Sequence, residues 1–203
     1  MPTTYAHYKF GKEVISALPK RIQSAIENHR ELFDIGLHGP DILFYYNALK
    51  KDPVNRQGSE LHEKYADEFF DHAAEVIENA EDPAAARAYA YGFICHFALD
   101  SECHPYVEKM IQVSGISHNE IEMEFDRMLL KDDYINPIRS LNTKHIHPTM
   151  ENAKVIAPFF EVITAEQIEK SLKSMIFYHK LFIAPTPGRR KVLFGAMKAI
   201  GKY

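Results

Sequence analysis

Between positions 96 and 122 the chain holds three histidines and two carboxylates at helical spacings: His96 and Asp100, then His104, then His118 and Glu122. Residues four apart on a helix point the same way, so each His–acid pair presents an imidazole beside a carboxylate. Two such helices facing each other can hold one or more divalent cations. Imidazole supplies directional nitrogen at about 2.0–2.1 Å, while carboxylates offset the charge and tolerate more than one ion. Cations so held bring the pKa of a bound water towards neutrality, which makes hydroxide available at pH 7. Polar residues with apolar neighbours, such as Asp100 after Phe97-Ala98-Leu99, are costly to bury without a partner or a metal.

The elements that must position these groups are helical almost throughout. Phe10, Val14, Ile15 and Leu18 form a stripe before Pro19, and Ile22, Ala25 and Ile26 a second short helix. Gly36, Gly39 and Pro40 mark a loop that carries His38 and delivers Asp41 to the run from Ile42 to Lys50. Asp52 to Gly58 reads as a polar loop around Pro53, and from Ser59 the pattern Leu61, Tyr65, Phe69, Ala73, Val76 predicts one long helix. The alanine-rich stretch from Ala84 to about Val113 predicts another, broken by Gly115, and Ser117 is placed to cap the helix of His118, Glu122 and Phe125. An irregular stretch over 132–148 precedes helices over 150–163, 164–183 and 189–200. No strand-like alternation of useful length and no internal repeat occurs, so the expected fold class is all-α, one helical domain over 1–203.

Composition sets the frame. With 203 residues, 46% of them apolar, 13 Phe and 11 Tyr, the chain can bury a full core. Its 24 basic and 28 acidic residues give a net charge of −4, which argues against a general electrostatic grip on nucleic acid. Eleven histidines are the outlier, in the direction of metal binding. The stretch Met1 to Ala6 lacks a basic region followed by an apolar run, and a cytoplasmic protein is expected. Cys95 and Cys103 lie eight apart in one predicted helix, roughly 12 Å at the helical rise and too far for a disulfide.

In order and spacing, Asp41, His62, His96-xxx-Asp100, His104 and His118-xxx-Glu122 resemble the zinc-dependent phospholipase C family, whose all-helical fold is shared with the S1/P1 nucleases. The resemblance spans about residues 5 to 126. It implies zinc ions, two or three, at the base of a cleft: Asp41, His62, His96 and Asp100 around one, with Asp100 bridging to a second, and His104, His118 and Glu122 around another. His7 matches the early histidine that holds the remaining ion in secreted members, where a processed tryptophan amine completes the shell. This chain contains no tryptophan, so two well-occupied metals are expected, or a third completed by water or by Tyr5. Iron, manganese and nickel are the other metals such donors accept. The short step from Asp100 to His104 is similar to the glycosylphosphatidylinositol-specific phospholipase D branch of the superfamily.

The resemblance implies a metal-dependent phosphoric-ester hydrolase of phospholipase C type, a phosphodiesterase. Its substrate would be a small phosphoric ester or a phospholipid headgroup. Asp41 and Asp100 are the candidate catalytic residues, Asp41 either ligating or acting as a base towards the water. The alternatives are an S1/P1-type nuclease or nucleotidase, and a non-catalytic metal-binding helical protein. An open coordination position within a cleft separates the enzyme from the last of these. His29, His72 and His179 read as surface or core residues, His38 as lining the site's mouth or merely solvated, and His145 and His147 as incidental. Tyr45, Tyr46, Phe69 and Phe70 read as core, with a cleft wall as the alternative. The run Arg189 to Ile200 is basic on one side and apolar on the other; its stripe is expected to pack on the domain, peripheral membrane contact being the alternative.

Overall fold

The computed structural model describes residues 4–63 and 65–199, and among them every regular element is helical and no strand occurs. In chain order the helices are α1 (Thr4–Ala17), α2 (Lys20–Asn28), α3 (Arg30–Gly36), a 3-10 turn (Gly39–Tyr45), α4 (Pro53–Glu63), α5 (Ala66–Asn79), α6 (Pro83–Ser114), α7 (His118–Asp132), α8 (Met150–Ile156), a second 3-10 turn (Ala157–Phe159), α9 (Ala165–Phe182) and α10 (Pro187–Ala199).

The axis is α6. Its start is fixed by Pro83 in the first turn and by the Asp82 carboxylate, which accepts the N–H groups of Ala84 and Ala85 at 3.0 Å each. Its end is fixed by Gly115 in the left-handed region, φ 69°, whose N–H reaches the Ile111 carbonyl at 2.8 Å. α3 crosses it with no side chain between the two backbones: a Cβ on Gly36 would lie 2.3 Å from the Tyr89 carbonyl oxygen, and one on Gly92 2.2 Å from that of Phe33. The main core gathers around this crossing, with Tyr89, Ile35, Phe159, Ile156, Ile168 and Leu172 fully covered. A smaller cluster of Ile15, Ile26, Phe33, Leu37 and Cys95 seats α1 and α2.

Two expectations are corrected. Asp52 to Gly58 is no loop: Pro53 opens α4, the Asp52 carboxylate accepts the Val54 N–H at 2.9 Å, and Gly58 sits mid-helix, where an added Cβ would come within 3.2 Å of the Phe44 ring. The long helix expected from Ser59 is two, because Tyr65 is extended and starts α5 anew. The apolar repeat runs unbroken across this joint, so periodicity alone does not reveal it.

The run from Ile42 is helical only as far as the first 3-10 turn, and α3 is an element the sequence reading did not separate. Both cysteines are free, and burial pushes the Cys95 thiol up to about 11. α10 buries none of its residues. Among the described residues no helix is long and apolar enough to cross a membrane. The expectations that touch Met1 to Thr3 and Ile200 lie outside the described residues.

Candidate metal centre and cleft

Five elements deliver the donors. His7 comes from α1, Asp41 from the first 3-10 turn, His62 from the last turn of α4, His96, Asp100 and His104 from α6, and His118 and Glu122 from the start of α7. They form three groups in which the donor atoms lie within 4.8 Å of one another: His7, His96 and Asp100; Asp41, His62 and His96; and His104, His118 and Glu122. All eight donors expected from the sequence are thus brought together, with His96 common to the first two groups.

The two oxygens of Asp100 face different imidazoles. Oδ1 lies 3.3 Å from His7 Nε2, and Oδ2 lies 3.3 Å from His96 Nε2 and 3.9 Å from His62 Nε2. Burial pulls the Asp100 carboxyl upward, but His7 and His96 outweigh it and hold it below the usual carboxylate range. Burial, reinforced by the neighbouring His96, lowers His7, which leaves a neutral ring suited to ligation. His104 is likewise lowered, chiefly by burial.

His62 defines the chemistry sharply. Its Nδ1 donates to the Gly58 carbonyl at 2.7 Å, so in the neutral ring Nε2 carries a lone pair, and that lone pair faces Asp41 Oδ1 at 3.1 Å. Two lone pairs at that distance require a proton or a cation. Burial lowers His62, yet the Asp41 carboxylate outweighs it and the net shift is upward.

Eight buried atoms here make no hydrogen bond: both ring nitrogens of His7 and of His96, Nε2 of His62 and of His104, and Oδ1 of Asp41 and of Asp100. An unsatisfied buried polar atom costs about 1–3 kcal/mol. Their concentration in one place, with nitrogen and carboxylate interleaved, fits divalent metal ions.

Local sequence explains the closeness. Gly39 holds φ 47°, and a Cβ there would meet the His96 ring at 2.3 Å, so the turn bearing Asp41 presses directly on a donor ring. On α7, Asp126 follows Glu122 by four residues, and its carboxylate accepts the backbone N–H groups of Tyr5 at 2.9 Å and Ala6 at 2.8 Å. That anchors the first turn of α1 one residue before His7. Tyr5 does not complete a metal shell: its hydroxyl donates to Asp133 at 2.6 Å.

Above the donors opens a cleft of about 1030 Å³. Asp41, His62, His104, His118 and Glu122 line its floor, and Phe44, Tyr45, Met175, Tyr178 and Phe182 line its walls. Its polar landmark is His179, which the sequence reading treats as a surface or core residue; its Nε2 lies 3.1 Å from the Tyr45 hydroxyl and 3.2 Å from the Thr4 hydroxyl. Burial lowers His179 to about 4 and raises Tyr45 to about 12.

His38 is not solvated but 1% exposed, and its Nε2 lies 2.7 Å from Nε2 of His145, whose ring stacks on Tyr8. His145 is therefore not incidental. His38 lines the cleft three residues before Asp41, whereas His179 sits at no helical spacing from a donor, which is why pattern alone misses its place. Phe69 stacks on Phe93 in the core, and Tyr46 packs against that core as well.

The described residues are thus all helical in their regular elements and bring three His–carboxylate groups, each able to hold a metal ion, to and beneath one cleft. The sequence matches the family profile described as Zinc dependent phospholipase C over residues 6–174, and the chain belongs to that family. The family is zinc-dependent by that description, and phospholipase C is a hydrolase. No curated protein and no solved structure matches the chain.

Proposed function

We propose that the protein is a metal-dependent phosphodiesterase, hydrolysing a phospholipid headgroup ester or a small phosphoric ester, with two or three zinc ions held by His7, Asp41, His62, His96, Asp100, His104, His118 and Glu122. The observation that carries this reading is the Asp100 carboxylate, which turns one oxygen to His7 and the other to His96 and lies 3.9 Å from His62, a residue that lines the cleft. When bound, the ions supply an acidified water and offset the charge of the ester.

The chain's own residues do the rest. Gly58 fixes the His62 tautomer through Nδ1, so that Nε2 is presented to the floor. Asp41 lies where floor and cleft meet, placed to take a proton from a water attacking phosphorus as the ester P–O bond breaks. Tyr45, Tyr178 and Phe182 line the space that the alcohol portion would fill. A cleft of this size above the donors favours an enzyme over a storage or structural metal protein, whose donors close around the ion.

The test is metal analysis of the purified protein joined to a screen of phosphodiesters and phosphomonoesters. Zinc in the protein with chelator-sensitive cleavage of a diester is expected. Stoichiometric metal with no hydrolysis of any ester would favour the storage reading.

A further inference from the structure

Several apolar side chains at the cleft mouth face water. Met123 and Phe182 both line the cleft, yet are 59% and 58% exposed. Phe177 and Leu181, beside Phe182 on the last turns of α9, are exposed as well. Directly after this edge comes α10, joined to it by the Arg189 guanidinium, which donates to the carbonyls of Lys180 at 3.0 Å and Leu181 at 3.3 Å.

α10 has an unusual make-up for a helix in this chain. It carries Arg189, Arg190, Lys191 and Lys198 and no acidic residue, in a protein whose net charge is −4. At 100° per residue Leu193 and Met197 share one side, and these two are partly covered. The side turned away from them presents Lys191 and Lys198, seven residues apart, with Phe194, which is 50% exposed, between them. The outer face therefore mixes cations with apolar side chains, and does not separate them onto two sides. A helix this short that buries none of its residues gains little from packing, and short helices are marginal in water on their own.

We infer that the mouth of the cleft and the outer face of α10 form one docking surface for an anionic phospholipid membrane. Apolar side chains enter the headgroup boundary while lysines meet lipid phosphate and carboxylate, which is how interfacial helices bind. An apolar lip at the opening is what a site needs to draw an ester from a lipid layer. A soluble polyanion would use the lysines and leave Met123, Phe182 and Phe194 with nothing to do. The choice of lipid over other anions rests on the phosphodiesterase reading; the surface itself does not.

The experiment is co-sedimentation of the zinc-loaded full chain with phosphatidylcholine vesicles, with and without about one third phosphatidylserine. Binding to the anionic vesicles only, weakened by salt, is expected. The double variant Lys191→Glu/Lys198→Glu should lower that partition by about tenfold or more at unchanged melting temperature and metal content. Phe194→Ser should lower it further at high salt, where the apolar contribution dominates. Equal binding to both vesicle types, wild-type partition by the double variant, or retention on single-stranded DNA with no vesicle binding would each overturn the proposal. Vesicle binding by a protein that cleaves no phosphoester would sink the proposed activity and leave the surface standing. Cleavage of soluble diesters without vesicle binding would do the reverse.

Discussion

The carboxylate of Asp126 accepts the backbone N–H of Ala6 at 2.8 Å across 120 positions of sequence. With the Tyr5 N–H also bound, one face of α7 offers His118 and Glu122 to the cleft and, one turn on, ties down the helix that carries His7. Asp126→Ala removes two charge-assisted bonds and leaves buried donors unmet. A loss of about 2–4 kcal/mol in denaturant unfolding is expected, with less zinc per chain after equilibrium dialysis. Asp126→Asn, which keeps an accepting oxygen, should lose less of both.

His96 stands in two of the three donor groups and His118 in the third. His96→Ala should therefore reduce the metal content more than His118→Ala, and each should lose at least one ion per chain, because a side chain bonded directly to the ion supplies a large part of a site's binding energy. Elemental analysis of both variants decides this. Wild-type metal content in both would show the donor assignment to be wrong.

Asp100→Asn keeps the shape of the side chain but removes the charge between His7 and His96. Hydrolysis of the substrate found by screening should fall by about 100-fold or more, with the helical circular dichroism unchanged. Full activity in this variant would contradict a shared carboxylate.

Acid should destabilise the metal-free protein through its buried neutral histidines. Burial lowers His179 to about 4 and His145 to about 3, against roughly 6.5 in an unfolded chain. The unfolded state therefore takes up the proton first as pH falls. Stability from each ring is fully present above about pH 6.5 and declines from there towards the folded value, by about 1.4 kcal/mol per pH unit. Urea titrations of His179→Gln beside the wild type at pH 7, 6 and 5 should show a shallower pH dependence in the variant.

The donors that the sequence discloses best are those whose partner lies one helical turn away, His96 with Asp100 and His118 with Glu122. Asp41, His62 and His7 lie on separate elements, and only the resemblance to the family relates them to the rest before the fold brings them together. His179 and His38 gain their positions from contacts 134 and 107 positions away, for which no local spacing exists. Asp126 was closer to legible: it continues the step of four from His118 through Glu122. At the level of elements, Gly115 announced the end of α6, but the joint at Tyr65 was hidden, because an apolar repeat that continues in phase across a break looks like one helix.

The Gly36–Gly92 crossing has a consequence for how the cleft accommodates what enters it. Most contacts between helices have slack, since a side chain can change rotamer and let the axes slide. At this joint there is no side chain to turn, only backbone against backbone. The turn bearing Asp41 starts three residues after Gly36, and His96 lies four residues after Gly92, so the donor floor inherits a bearing without play. α9, by contrast, meets the cleft through side chains, the rings of Tyr178 and Phe182, so a larger or smaller guest would be fitted there by a change of rotamer. A donor floor set on a backbone joint, beside a cleft wall set on rotatable side chains, divides the site into a part that keeps its geometry and a part that can adjust.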